Sequence, residues 1–197
     1  MQERLSENAV IACDDGIVAK FSQKWGVQAC LLWLSGPLDV EATLAPIDVL
    51  ESSSLVVGLY LMLTQRNGVR PRAILLDSLT TLGFSVVSPS TLYKLLETPV
   101  VVVYKYRPRL ERLTTALKKH FVDWSLRASV LKLLERTVRV ETKKGELYLI
   151  TWGIEIEEAR KLVEELQRHS RVPEPLRLVH SIASELTRLV LRSELSS

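Results

Sequence analysis

Two short apolar runs in this chain each stop at a carboxylate. Ala9 to Cys13 is followed by Asp14-Asp15-Gly16, and Ala73 to Leu76 is followed by Asp77. Runs this short and apolar read as buried strands, so each acid marks a strand's C-terminal end. If the two strands lie parallel and adjacent, their carboxylates emerge together at the sheet edge where open α/β sheets bind ligands. Paired hard oxygen donors suit Mg²⁺ or Mn²⁺, and ions held there would stabilise the attacking and leaving oxygens of a phosphodiester. The same pattern arises when each Asp caps the loop or helix that follows it, and spacing alone leaves both readings open. Asp15 is either a further metal ligand or, the favoured reading, the turn acid before Gly16.

The elements that must position these acids follow from the hydrophobic pattern. After the first strand come two more, Val27 to Leu34 and about Leu38 to Leu44, joined by Ser35-Gly36-Pro37 as an antiparallel hairpin. Apolar residues at near-helical spacing run from Pro46 to about Arg66, and Asn67-Gly68 supplies a stop. The strand ending at Asp77 follows, and Leu79 to Val87 fits no single element. A short helix capped by Ser90 runs to Glu97. Pro99 to Tyr104, with four consecutive valines, reads as a strand buried on both faces. Helical sequence extends from Leu110 to about Glu135. Val138 to Glu141 and Leu147 to Thr151 form a second hairpin or edge pair through Lys143-Lys144-Gly145. Two helices, about Glu155 to His169 and Glu174 to Arg192, close the chain. Three antiparallel strands followed by strands alternating with helices predict a mixed α/β sheet with helices on both faces.

Bulk properties set the frame. A chain of 197 residues, 47% hydrophobic and 25% charged, fits one globular domain with a substantial core. No stretch approaches a membrane span, and Met1 to Asn8 carries Glu3, Arg4 and Glu7 rather than a targeting pattern, so a cytoplasmic protein is expected. Cys13 and Cys30 sit in apolar runs without paired spacing, which predicts buried thiols. The net charge of +3 conceals an uneven distribution. Tyr104 to Lys144 carries 12 Lys and Arg against 4 Asp and Glu, whereas the rest has 14 against 19. Such a block is either a set of phosphate contacts or a solvated helical face.

Several segments occur together in one order: Ala12-Cys13-Asp14-Asp15-Gly16, Ile74-Leu75-Leu76-Asp77-Ser78 with Gly83-Phe84 after it, Pro99 to Lys105, Asp123-Trp124, Gly153 before a helix, and Pro173-Glu174-Pro175-Leu176-Arg177-Leu178-Val179-His180. This series resembles the archaeal domain-of-unknown-function family ninety-nine, a relative of endonuclease V in the ribonuclease H-like superfamily. The resemblance runs from about Ala9 to Arg192. It implies a ribonuclease H-like fold and a Mg²⁺- or Mn²⁺-dependent nuclease, with Asp14 and Asp77 as metal-binding and catalytic acids. It further implies a metal-binding acid in the first long helix, for which Asp48 or Glu51 is available. Lys105 matches a lysine that contacts a phosphate or stabilises developing charge.

The chain departs from endonuclease V in three places. Gly153-Ile154 stands where the endonuclease has Gly-His, His180 stands where its last helix carries an acid, and Ala45-Pro46-Ile47 occupies the segment nearest its base-reading wedge. His180 can face the core or the site. Arg177, in a first helical turn where a cation opposes the helix dipole, is expected to pair with a strand-end acid. Trp124 and Trp152 can stack on bases but fit core packing better. Three functions stay open: a nuclease, a nucleic-acid-binding module without turnover, and an interaction subunit or homodimer meeting through Leu186, Leu189, Val190 and Leu191. If DNA or RNA is bound through Lys105, Arg107, Arg109 and their neighbours, affinity should fall steeply with salt as counterions are released. A flat response in a binding titration between low and physiological salt would remove this block from the interface.

Overall fold

Alternate residues of the central strands enter two different cores, and this period of two is what the apolar runs encode. The structure, a computed structural model, describes residues 8–18 and 23–194; nearly all of the opening segment read above lies outside them. Its main sheet contains β1 (Val10–Asp14), β2 (Trp25–Trp33), β3 (Pro37–Pro46), β4 (Ala73–Leu76), β7 (Val100–Tyr104), β8 (Val138–Thr142) and β9 (Gly145–Trp152). Their spatial order is β3-β2-β1-β4-β7-β9-β8. β1 pairs parallel with β4, and β4 parallel with β7; the remaining pairs are antiparallel. The predicted mixed sheet is therefore observed, including the hairpin at each end.

On one face Ile11, Leu32, Ile74, Leu76, Val100 and Val102 pack under α1 (Ser53–Asn67), α2 (Pro89–Leu96), α3 (Leu110–His120) and α4 (Trp124–Leu131). On the other, Val10, Ala12, Leu31, Leu75, Val101 and Val103 pack under α5 (Ile156–Glu165) and α6 (Glu174–Glu194). β1 lies in mid-sheet and is buried along its whole length. Among the described residues no helix is long and apolar enough to cross a membrane.

Several boundaries differ from the sequence reading for identifiable reasons. The first long helix begins at Ser53, not near Pro46. Asp48 takes a left-handed backbone conformation, φ 61°, and Glu51 forms a bridge with Val86 and accepts from Ser53 N–H at 2.7 Å. Asp48 and Glu51 therefore precede the helix. Leu79 to Val87 holds a small hairpin, β5 (Thr80–Thr81) with β6 (Ser85–Val86). Ser88 rather than Ser90 caps α2, accepting from Thr91 N–H with Pro89 in the first turn. The stretch from Leu110 breaks after His120, restarts at Trp124 and ends in a 3₁₀ turn, Lys132–Arg136.

The two cysteines are buried as expected but are not thiols. The antiparallel register sets Cys13 opposite Cys30, and the pair forms a disulfide with Cα atoms 4.1 Å apart. Trp124 and Trp152 pack against the core, as the core reading required.

Arg127 is withdrawn from the basic block. Its side chain is 3% exposed, and its Nε and Nη2 donate to the Asp123 carboxylate at 2.9 and 3.0 Å. Nη1 donates to the carbonyls of Val49 and Phe84, and Nη2 also donates to that of Asp48. One planar fork thus ties α4 to the segment before α1 and to the β5–β6 hairpin. Arg127→Met should destabilise the protein by about 3–5 kcal/mol, because three carbonyls and a carboxylate lose their donor. Arg127→Lys should recover only part of this loss. A urea midpoint for Arg127→Met equal to that of wild type would show that solvent replaces these bonds without cost.

Candidate active site

Register places the two strand-end acids. Val10 pairs with Ala73, Ala12 with Leu75 and Cys13 with Leu76, so Asp14 and Asp77 leave neighbouring parallel strands side by side. Asp14 continues the face of Val10 and Ala12, and Asp77 that of Ala73 and Leu75; both therefore point to the face covered by α6. Lys105 follows β7, the strand next to β4, and is exposed. Asp14 and Asp77 thus stand together, and Lys105 leaves the next strand at the same end of the sheet.

The Asp14 carboxylate is almost wholly buried and is held from two sides. Gly16 N–H donates to Oδ1 at 3.0 Å, and His180 Nδ1 lies 2.8 Å from Oδ2. The Gly16 turn needs φ +69° and passes so close to α6 that a Cβ there would overlap the backbone of Ala183 and Ser184. Glycine at this position lets the Asp14 turn close onto the helix that carries His180. His180, half-exposed at the rim of the Leu176 and Val179 side of α6, reaches Asp14, whereas Arg177 pairs with Glu174 at 3.0 Å. The expected ion pair of Arg177 with a strand-end acid is thus not formed, and His180 makes that contact instead.

Asp15 does more than shape the turn. Its Oδ2 accepts a hydrogen bond from Leu82 N–H, and its carboxyl feels the charge of the neighbouring Asp14. Burial first, and then the Asp14 charge, push the Asp15 carboxyl up to about 7. Burial and the charges of Asp14 and Asp15 likewise hold Asp77 well above the usual carboxylate range. His180 is raised, chiefly by its bond to Asp14. Beside Asp77, burial pushes the Tyr104 hydroxyl up to about 12, and this hydroxyl accepts from Leu79 N–H at 2.9 Å. Tyr104 was missed in the sequence because it reads as the last residue of a valine strand; its position one strand from Asp77 is set by pairing alone.

Asp48 stands apart from this group. Its Oδ1 accepts from Phe84 N–H at 2.8 Å and its own N–H donates to Leu82 O, so it organises a loop. Arg107 and Arg109 are exposed and line, with Arg112 and Glu135, an open cavity of about 540 Å³ beyond β7. Among the described residues no three His, Cys, Asp or Glu side chains form a ready-made metal cage. The donor set nevertheless fits Mg²⁺ or Mn²⁺, which bind through one or two carboxylates completed by water and substrate phosphate oxygens. Mutually repelling buried carboxylates are also the electrostatic setting that a cation relieves.

Residues 6–187 match the family described as Endonuclease dU. The chain is 40% identical over 188 residues to a UPF0215 protein of Aeropyrum pernix, covering 92% of this chain and all of that one. It is 31% identical to a UPF0215 protein of Pyrococcus furiosus, covering 92% and 93%. Among solved structures, a protein of unknown function from Archaeoglobus fulgidus superposes with a TM-score of 0.77 at 23% identity, covering 90% of this chain and 97% of that one. Endonuclease V of Ciona intestinalis, solved with a 24mer DNA containing inosine, gives 0.59 at 15% identity, with 94% and 86% covered. Endonuclease V of Bacillus subtilis gives 0.60 at 12%, with 94% and 83% covered. The fold is ribonuclease H-like, and the endonuclease V-related family expected from the motifs is the one found.

The raised carboxyls give the metal-free protein a signed pH dependence. Asp15 protonates near 7 in the folded chain against an ordinary value of 3.8, so between these values the folded state binds more protons than the unfolded one. Stability from this group is full below pH 3.8 and is lost as pH rises through 7. His180 acts in the same sense, its share being lost as pH rises through its raised value. With EDTA present, thermal stability should decline from about pH 5 to 8, and Asp15→Asn should flatten the decline by a few kcal/mol, at about 1.4 kcal/mol per tenfold change in proton affinity. Equal slopes for the variant and wild type in melts across this range would refute the assignment.

Proposed function

The chain belongs to the Endonuclease dU family, and from that premise we propose that it is a Mg²⁺- or Mn²⁺-dependent nuclease that hydrolyses phosphodiesters of DNA or RNA. The observation that carries this reading is the register of β1 with β4, which sets Asp14 beside Asp77 on the face covered by α6. Asp14 and Asp77 are the residues that would hold the ion. When bound, it supplies Lewis-acid stabilisation of phosphate charge and a more acidic water.

The remaining roles fall to the chain's own groups. Gly16 N–H and His180 fix the Asp14 carboxylate before substrate arrives, so little reorganisation is needed. Asp15, next to Asp14 and with its Oδ2 on Leu82 N–H, is the candidate acceptor for a proton leaving the attacking water. Lys105 leaves the neighbouring strand at the same end of the sheet, and in this reading its ammonium neutralises charge developing on the phosphate. No histidine stands at Gly153-Ile154; His180 instead brings an imidazole to the edge from the last helix. The family description names dU, and the DNA in the Ciona complex contains inosine. Both are deaminated nucleosides, which makes DNA carrying deoxyuridine or deoxyinosine the first substrate to try.

Asp77→Asn should abolish metal-dependent cleavage while leaving the fold and most nucleic-acid affinity intact. The amide keeps the size and one acceptor oxygen but loses the charge that a hard dication needs. Oligonucleotides with dU, deoxyinosine or unmodified bases, as DNA and as RNA, would be incubated with Mg²⁺ or Mn²⁺, with binding followed in parallel. Cleavage by Asp77→Asn at the wild-type rate would sink the assignment of this residue. Binding without cleavage by the wild type would replace the nuclease with a nucleic-acid-binding module.

A further inference from the structure

The sheet edge that carries the acids continues past them into a basic and aromatic surface. From β4 the edge passes to β7, then to the start of β9 and the β8–β9 turn. At about 4.8 Å per strand this run spans roughly 15 Å, the length of a few nucleotides. Along it lie Asp77, then Lys105 and Tyr106, then Glu146, then Lys143 and Lys144.

Tyr106 is the unusual member. It is 68% exposed, so its ring contributes little to either core. The Arg171 guanidinium lies 4.8 Å from the ring centroid and the Lys105 ammonium 5.5 Å from it. Arg171 is steadied by donating from Nη1 to the carbonyl of Glu146 at 3.2 Å. The Glu146 carboxylate is itself paired with Arg139 at 2.6 Å, which leaves the surroundings of the ring positive. Other cation-ring pairs in the molecule differ in setting. The Trp33 ring under Arg168 is buried, and the Trp124 ring beside Lys118 packs against the core. An exposed ring flanked by two cations, one strand along the sheet edge from Asp77, has the composition of a single-strand stacking platform.

We propose that Tyr106 stacks against an unpaired nucleobase of the bound strand, with Arg171 and Lys105 holding the flanking phosphates, and so fixes the strand's register relative to Asp14 and Asp77. This rests on the nucleic-acid reading above. The role is positioning, since the ring lies one strand beyond the acids and touches neither.

The test uses the full chain in EDTA, which silences cleavage, and single-stranded DNA carrying 2-aminopurine at successive positions. Wild type should quench the fluorophore at one or two positions. Tyr106→Ala should lose that quenching and bind roughly five- to a hundredfold more weakly, the range expected for removing one stacked ring. Its salt dependence should be unchanged, because stacking releases no counterions. Tyr106→Phe and Tyr106→Trp should retain both signals, and Arg171→Ala should reduce the salt slope instead. Wild-type affinity in Tyr106→Ala, or equal damage by Tyr106→Phe, overturns the platform while leaving the nuclease reading standing. A wild-type protein that binds no oligonucleotide overturns both. Tyr106-dependent binding by a protein that never cleaves supports the platform and overturns the nuclease alone.

Discussion

The parallel in-register pairing of β1 with β4 is the constraint on which the rest depends. It places two carboxylates side by side on one face of the sheet, with a third, Asp15, next in the chain. Like charges in a poorly solvated position repel strongly and favour protonation. Apolar packing of Val10, Ala12, Ala73 and Leu75 forces the arrangement, since slipping either strand by one residue would turn these side chains to the wrong face. The repulsion must therefore be met locally. Gly16 N–H, His180 and Leu82 N–H each reach an oxygen of Asp14 or Asp15, and the raised proton affinities of Asp15 and Asp77 show what these donors leave unbalanced.

The scaffold around Asp14 is correspondingly stiff. β1 has a paired strand on both sides, helices over both faces, and a covalent tie to β2 one residue before the acid. A crosslink across a separation of 17 residues removes about 3 kcal/mol of chain entropy from the unfolded state in the simple loop model. The backbone that presents Asp14 is thus held by the sheet, by the Gly16 approach to α6 and by the Cys13–Cys30 bridge. A carboxylate fixed this way aims its oxygens before any partner arrives.

What the sequence disclosed and what it hid divide along the range of the interactions. Period-two burial and abrupt strand ends are local, so β1, β4, β7 and the terminal hairpins were legible, and with them the adjacency of Asp14 and Asp77. Contacts set by tertiary register were not. Cys13 and Cys30 gave no paired spacing because their proximity exists only once β1 and β2 align. Arg177 and His180 share one helix face on paper, and only the packing of Leu176 and Val179 against the sheet decides that His180 is the one to reach Asp14. Arg127 looked like one more cation of a basic block, and its five N–H groups are instead consumed by one carboxylate and three carbonyls.

The two acids that contact the β5–β6 hairpin, Asp15 and Asp48, differ in what they tie it to. Leu82 and Asp48 both adopt left-handed backbone conformations, φ 47° and 61°, which for a bulky residue such as leucine is costly. The cost is met by hydrogen bonds that converge on the hairpin: Asp15 on Leu82 N–H, Asp48 N–H on Leu82 O, Asp48 Oδ1 on Phe84 N–H, and Arg127 on Phe84 O. Asp48 is therefore committed to shaping a loop, whereas Asp15 joins that loop directly to Asp14. Any change in charge at the Asp14–Asp77 pair alters the proton balance of Asp15, and with it the strength of the bond that holds Leu82 in its strained conformation. The hairpin and the carboxylate pair are in this way one electrostatic unit, built from residues 34 apart between Asp48 and Leu82 and 67 apart between Asp15 and Leu82.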